Sequence, residues 1–297
     1  MWPIIEIAIA PKSEADAARL HAALQDLGAR DPALRAFVDP ESGQTMLGGD
    51  DEQRLDAQID ALRHTYGVEA DIGAPQVVYR EVLGRAAVVT WTHRKHLGPT
   101  SAFAEVTILL EPREPGGGYE FESKVADGSA PDEYIRGVER GLALAKEAGL
   151  LAGLPVIDFK ATLLAAKPHE IDSSVMAFEQ GARAAFQELR EKGAPRLAEP
   201  IMKIEVVTPE DYVGDVIGDL NARCGMILGT DQRGDDQVIF TMAPLANMFG
   251  YADQLCAFSD GRAHFTMRYD HYEAAPLRAL MPPDDPRFPP AIGMRVA

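Results

Sequence analysis

The sequence predicts an α+β protein of three parts, in which two small βαββαβ units flank a larger α+β segment. The chain has 297 residues, more than the roughly 100–150 of one typical domain. The same order of strand and helix patterns occurs near both ends of the chain, and the part between them has long strand patterns of its own. Hydrophobic residues make up 46% and charged residues 25%, so several ordinary cores can form.

The first predicted unit covers residues 1–74. Its signals, in chain order, are a strand over Ile5, Ile7 and Ile9, a Ser13-capped helix with Leu20, Leu24 and Leu27 that ends at Gly28, a hairpin of 34–38 and 44–47, a helix with Leu55, Ile59 and Leu62, and a strand over 68–72. This βαββαβ order is the ferredoxin-like arrangement.

The middle segment, residues 75–198, is predicted to be an α+β domain of its own. Long strands are expected over 77–92 and 102–110, a glycine-rich turn over 114–118, a strand over 119–125, a helix over 131–148, and a strand over 155–164. Asp172-Ser173-Ser174 is expected to cap a further helix that runs to about Lys192.

The last unit, residues 199–275, repeats the βαββαβ order. A strand over 201–207 precedes Thr208 as expected N-cap and Pro209 at the first helical position. A hairpin of 226–230 and 237–242, a helix that starts at Pro244 and a strand over 263–269 complete the unit. Residues 276–297 are a proline-rich tail with weak structural signal.

Features of secretion and of membrane proteins are missing from the sequence. The first residues carry no basic segment, and no apolar run reaches the roughly 18–20 residues of a membrane span. Two cysteines, Cys224 and Cys256, are too few for a disulfide framework, and we expect them to be buried or half-buried. The sequence therefore predicts a cytoplasmic protein with no membrane partner.

The formal net charge of −17 is unevenly distributed. Residues 1–74 hold 6 Lys and Arg against 14 Asp and Glu, residues 75–198 hold 15 against 17, and residues 199–275 hold 5 against 13. Because phosphate binding rests on cations, any RNA contact is expected in the near-neutral middle segment.

Several stretches of the chain resemble one known family. They are Pro3 to Glu6 and Pro75 to Glu81, Leu151 to Val156 and His169-Glu170-Ile171-Asp172-Ser173-Ser174, and Glu199 to Glu210, Gly214 to Asn221, Pro244 to Ala252 and Asp270 to Glu273. They are similar to the third, fourth and fifth domains of elongation factor G. The resemblance implies two ferredoxin-like domains around a domain like the second domain of ribosomal protein S5.

The resemblance implies a translocase that moves tRNA and mRNA on the ribosome, with a GTPase half outside this chain. No Gly-x-x-x-x-Gly-Lys-Ser/Thr loop occurs, and Gly116-Gly117-Gly118 is not followed by the required Lys. We therefore expect no catalytic site and no cofactor in this chain, with GTP and Mg²⁺ bound by the preceding half. The expected partners are the decoding centre, rRNA and the tRNA–mRNA duplex, and the expected state is a monomer.

The resemblance also implies which loops touch RNA. In the family, the fourth domain is a finger whose tip loops contact the mRNA–tRNA duplex. By residue match, one loop is Lys167-Pro168-His169, where Lys can donate to phosphate and His can donate or stack on a base. The other runs from His93 to Phe103, and its candidate contact residues are Arg94, Lys95, His96, Gly98, Pro99, Thr100 and Ser101.

Two stretches depart from the family pattern. Residues 97–102 replace a glycine-rich loop, and Pro99 fixes φ and removes a donor, so decoding-centre contact should be altered. Residues 48–55 replace Gly-x-Gly-Glu-Leu-His-Leu, with Asp51 and Gln53 in place of an apolar and a His position. Together these changes favour a divergent paralogue.

Two other classes of function stay open. His169, Asp172 and Ser173 could supply the groups of a hydrolytic enzyme, but residues this close in sequence more often cap a helix, since triad members converge from distant loops. A ribosome-protection or ribosome-recycling factor on the same scaffold would bind the ribosome without translocation.

Overall fold

A computed structural model of the chain describes residues 3–39, 43–97, 100–169 and 171–276. The chain divides into two compact units. Residues up to Val78 together with Glu199–His271 belong to one unit, and Tyr79–Ala198 with Tyr272–Ala275 belong to the other. The predicted first and last domains therefore lie in the same unit. The predicted tail from residue 277 onward lies outside the described residues.

The first domain has the predicted βαββαβ order. Its elements are β1 (Ile5–Pro11), α1 (Glu14–Arg30), β2 (Arg35–Val38), β3 (Thr45–Gly49), α2 (Glu52–His64) and β4 (Ala70–Ile72), followed by the short β5 (Gln76–Val77). The antiparallel sheet has the order β2-β3-β1-β4, and β5 pairs with β1. The predicted leucines and isoleucines of both helices are buried, and the Ser13 side chain caps α1 as expected, accepting from the N–H of Asp16 at 3.1 Å.

A half-buried carboxyl lies at the start of α2. Glu52 accepts a hydrogen bond from the backbone N–H of Gly250 and lies near Asp51, Asp56 and Asp253. Burial and then these neighbouring carboxylates raise the pKa of Glu52 to about 7, and the Gly250 N–H opposes the shift.

The middle domain packs two helices on one face of a four-stranded sheet. Its elements are β6 (Arg80–Val82), β7 (Ala87–Leu97), β8 (Thr100–Pro112), β9 (Tyr119–Ser123), α3 (Asp132–Ala148), β10 (Val156–Ile157), β11 (Phe159–Lys167), α4 (Val175–Gln187) and α5 (Leu189–Lys192). The sheet order is β7-β8-β11-β9, with β9 parallel to β11 and the other pairs antiparallel. Phe159, Phe178 and Phe186 are fully buried in its core.

Two long strands that the sequence predicts here are interrupted. The strand predicted over 77–92 is divided into β5, β6 and β7. The strand predicted over 155–164 is broken at Asp158, which has a left-handed φ of 53°. The carboxylate of Asp158 accepts the N–H groups of Gly116 at 3.0 Å and Gly118 at 2.7 Å, so the break fastens the glycine-rich turn to the sheet.

A buried carboxylate organises the loop after α3. Glu81 on β6 is fully buried, and its two carboxylate oxygens accept hydrogen bonds from four backbone N–H groups. The donors are Leu150 at 2.5 Å, Leu151 at 2.9 Å, Ala152 at 2.8 Å and Leu154 at 3.2 Å. We call these four N–H groups and the carboxylate the amide pocket. The loop enters this pocket through Gly149, whose φ is 72°. A Cβ at that position would lie 2.5 Å from the Leu154 oxygen and 2.9 Å from Glu81 Oε1, so only glycine fits.

The last domain repeats the βαββαβ order. It contains β12 (Arg196–Pro209), a 3-10 turn (Glu210–Tyr212), α6 (Val213–Ala222), β13 (Met226–Arg233), β14 (Asp236–Pro244), a 3-10 turn (Leu245–Asn247), α7 (Tyr251–Phe258) and β15 (His264–Ala274). β14 lies between β12 and β13, and β15 pairs with β12. The fold is thus α+β, with a ferredoxin-like sheet order in both the first and the last domain.

Three local predictions for the last domain are wrong. Thr208 is not an N-cap, because the strand continues through Pro209 and a 3-10 turn precedes the helix at Val213. The helix predicted from Pro244 starts only at Tyr251, since Gly250 has a φ of 68° and interrupts the helical path. Cys224 and Cys256 are exposed, not buried.

Candidate RNA-contacting tip

Strand register brings the two predicted tip loops together at one end of the middle domain. Arg94 on β7 is opposite Phe103 on β8, and Lys167 at the end of β11 is opposite Glu105 on β8. The loop after β11 is fastened to β8, since Phe103 donates its N–H to the Asp172 oxygen at 2.8 Å and Ser173 Oγ donates to the Phe103 oxygen at 2.7 Å. The two loops therefore form one surface.

Not every predicted tip residue can be placed. Lys95 and His96 belong to β7 and Thr100 and Ser101 to β8, but the structure describes only their backbone. Gly98 and Pro99 lie outside the described residues. The predicted effect of Pro99 on contact with RNA stays a prediction.

Arg94, Phe103 and His169 form a row of contacting groups, which we call the tip row. The Arg94 guanidinium carbon lies 5.5 Å from the centroid of the Phe103 ring. The His169 ring lies on the same aromatic residue, with centroids 6.0 Å apart and ring planes 59° apart. A cation and two flat rings in a row can accept a nucleobase by stacking and a phosphate by charge.

Hydrogen bonds hold the backbone of His169 while its side chain stays half-exposed. Its N–H donates to Ser173 Oγ at 2.8 Å, and its Nδ1 accepts from the Ile171 N–H at 3.4 Å and lies 3.3 Å from Asp172 Oδ2. Ser173 Oγ donates to the Phe103 carbonyl oxygen, not to the imidazole. The three residues therefore brace the loop and do not form a nucleophile-and-base pair.

Lys167 is not a free cation. Its Nζ lies 2.6 Å from Glu105 Oε1, and the Thr92 hydroxyl donates to the other Glu105 oxygen at 3.4 Å. The hydrogen bond from Lys167 lowers the pKa of Glu105. Lys167 is still 69% exposed, so it can reach a phosphate, but Glu105 would partly neutralise it.

The predicted segment Asp172-Ser173-Ser174 contains the N-cap of α4. Ser174 is the N-cap, and its Oγ accepts from the Ala177 N–H at 3.2 Å. Asp172 lies two residues earlier, and its carboxylate is 3.3 Å from His169 Nδ1. Two large apolar side chains beside this cap are exposed, Ile171 by 85% and Met176 by 68%.

Sequence reasoning missed Glu105, and it assigned no role to Phe103, the last residue of the predicted loop. Both are unremarkable alternating residues of β8, and only the pairing of β8 with β7 and β11 places them against Arg94 and Lys167. The sequence does show that Phe103 and Glu105, two residues apart on one strand, share a face. Their partners could not have been assigned without the register.

A metal site and a membrane-spanning helix are both absent from the described residues. Within them, no group of three or more His, Cys, Asp or Glu side chains could hold a metal ion. Among the same residues, no helix is both long and apolar enough to cross a bilayer.

The order of two ferredoxin-like domains around a larger α+β domain agrees with the family models that the chain matches, which are those of a translation elongation factor. Residues 2–74 match elongation factor G domain III, residues 75–194 match elongation factor G domain IV, and residues 196–281 match the elongation factor G C-terminus. The chain belongs to the elongation factor G family.

A solved structure is similar to nearly the whole chain. The crystal structure of ttk003000868 from Thermus thermophilus is 35% identical in sequence, with a TM-score of 0.75. The match covers 93% of this chain and 41% of that chain, so this chain spans less than half the length of that relative.

Proposed function

We propose that this chain is the ribosome-binding portion of a factor that promotes movement of tRNA and mRNA, and that the tip row contacts the tRNA–mRNA duplex in the decoding centre. The observation that carries the proposal is the tip row itself, a cation and two rings presented by two joined loops. GTP and Mg²⁺ would bind a part of the longer protein outside this chain. Their role would be to drive the cycle in which the tip acts.

The roles within the tip follow from the contacts. Arg94 is held over Phe103 and, among the tip cations whose side chains are described, has no carboxylate partner, so we assign it the main phosphate contact. His169 supplies an exposed ring for stacking or a donor to the duplex. Lys167 is assigned a weaker part because Glu105 already pairs with it.

A second candidate function has support in the same loops. The Lys167 to Glu105 pair reduces the positive charge of the tip, and residues 97–102 depart from the glycine-rich loop of the family. A ribosome-protection or ribosome-recycling factor could retain ribosome binding with such a tip. It would not accelerate translocation.

Single-turnover translocation on programmed ribosomes tests the proposal, with the longer GTPase that carries this chain. Arg94→Ala and His169→Ala should each slow translocation about tenfold, or ~1.4 kcal/mol in the barrier, because a contact to the moving duplex is lost. Lys167→Glu should slow it as well through repulsion from phosphate.

Matched control variants lie away from the tip. Arg140→Ala on α3 and His21→Ala on α1 remove an exposed cation and an exposed His, and neither should change the rate. Unchanged rates for all three tip variants would defeat the translocase proposal. Ribosome binding that persists without any acceleration by the unaltered protein would support the protection or recycling function.

A further inference from the structure

One face of the last domain's sheet is open. Ile204, Val206, Thr241 and Ala243 are buried on the side where α6 and α7 pack. Successive side chains of a strand point to opposite faces, so the residues that alternate with these lie on the other face. The strand register pairs Glu205 with Phe240, Lys203 with Met242, and Met226 with Met242 on that face. A bulge between Ile227 and Gly229 adds Leu228 to this face, which we call the open face.

The open face exposes large apolar side chains in a groove. Met226 is 59% exposed and Leu228 is 48% exposed, and Phe240 and Met242 are half-buried beside them. A shallow groove of about 360 Å³ is lined by Leu228, Gly229, Phe240, Thr266 and Arg268, among others. Clustered exposed apolar groups of this kind mark interaction surfaces more often than inert surface.

Cations gather on the same face of an otherwise acidic domain. Residues 199–275 contain five Lys and Arg against thirteen Asp and Glu, yet Lys203, Arg233 and Arg268 all lie at this face. Arg233 is paired with Glu205 at 3.0 Å. Within the described part of the chain, Lys203 and Arg268 form no ion pair, so two charges beside the groove are uncompensated.

We propose that the open face binds a segment of a protein partner in which apolar side chains are flanked by carboxylates. The apolar side chains would enter the groove at Leu228 and Phe240, and the carboxylates would pair with Lys203 and Arg268. RNA fits less well because Met226, Leu228 and Met242 are not flat rings, and Phe240 alone offers a stacking surface. Methionine side chains adapt readily to a peptide ligand.

This site is separate from the tip row and does not rest on the proposed role in translocation. The probe is a labelled synthetic peptide of about 14 residues, or four helical turns, with leucines on one face and glutamates at its flanks. Fluorescence anisotropy with the whole chain should show saturable binding, and amide chemical shifts should change at Leu228, Gly229 and Phe240. The double variant Lys203→Glu and Arg268→Glu should weaken binding about tenfold or more.

Matched variants distinguish binding at this site from non-specific binding of the peptide. Leu228→Asp should abolish binding, whereas Leu144→Asp should not, although Leu144 on α3 is also 48% exposed. Arg140→Glu, a charge reversal on α3, should also have no effect. A peptide with lysine in place of glutamate should bind at least about tenfold more weakly.

Four results would overturn the proposal. They are no saturable peptide binding, tighter binding of a single-stranded RNA oligonucleotide to the same residues, concentration-dependent self-association that covers Leu228, and protection of Leu228 by another part of the longer protein. Circular dichroism on each variant establishes that it is folded before binding is scored.

Discussion

The amide pocket and the tip row lie in the same domain and use their polar groups in opposite ways. In the amide pocket, all four N–H donors are directed at one fully buried carboxylate. In the tip row, hydrogen bonds hold the backbone of the loops and leave the Arg94 and His169 side chains at the surface. The comparison shows two uses of polar groups. The buried Glu81 side chain stabilises the fold, whereas the hydrogen-bonded tip loops keep Arg94 and His169 accessible to a ligand.

The largest effect on stability is expected at the amide pocket. Glu81→Gln keeps the shape but replaces one acceptor with a donor that faces backbone N–H groups. We expect a loss of about 3 kcal/mol in the free energy of unfolding, because buried donors are left unsatisfied. Urea denaturation measures it. Glu139→Gln on the exposed side of α3 is the control. A similar loss for both variants would contradict the stabilising role of the amide pocket.

Gly149→Ala tests the approach of the loop to that pocket. We expect a loss of about 2 kcal/mol, because the new Cβ would meet the Leu154 oxygen and the left-handed φ is strained. Gly153→Ala has a similar φ of 74° with open space around it and should cost about 1 kcal/mol. Equal midpoints in thermal unfolding would show that backbone conformation, and not the close contact, decides both.

At the tip, the expected stability effects are smaller. Ser174→Ala removes the N-cap of α4 and should cost about 1 kcal/mol. Asp172→Ala should cost clearly less, because its side chain lies beside His169 and does not cap the helix. Paired chemical denaturation curves compare the two variants, and a larger loss for Asp172→Ala would contradict the assignment of the cap.

The smallest effect on stability is expected for Glu105→Gln. The ion pair with Lys167 is at the surface, where such pairs contribute little. Release of Lys167 should strengthen salt-dependent binding of the chain to ribosomes, since one more cation becomes free. Glu111→Gln, on the same strand and the same face, should leave binding unchanged. Weaker binding by Glu105→Gln would mean that the glutamate positions Lys167 for its ligand.

The periodic parts of the fold could be predicted from the sequence. Alternation at Ile5, Ile7 and Ile9 and helical spacing at Leu55, Ile59 and Leu62 identified elements whose apolar faces are buried. Interruptions were missed where one residue departs from the pattern for a tertiary reason. Asp158 leaves the strand because its carboxylate binds two distant glycine N–H groups, a contact about 40 residues away in sequence that no local pattern encodes.

The tip could be predicted only in part. Lys167 and His169 were identified through the family resemblance, and the structure places both at one surface with Arg94. The predicted cap Asp172-Ser173-Ser174 contains the observed N-cap Ser174, but all three are good capping residues and only the geometry selects one. The roles of Phe103 and Glu105 depend on strand pairing between distant segments, which the sequence does not specify.

The Glu52 carboxyl makes the unit that contains it a proton acceptor on folding. Its ordinary pKa is 4.5 and its pKa in the folded chain is about 7, so near pH 6 the folded state holds a proton that the unfolded chain releases. The stabilisation is complete below about pH 4.5 and is lost as the pH rises through about 7. A modest acidification of the surroundings would therefore stabilise the folded unit that contains Glu52.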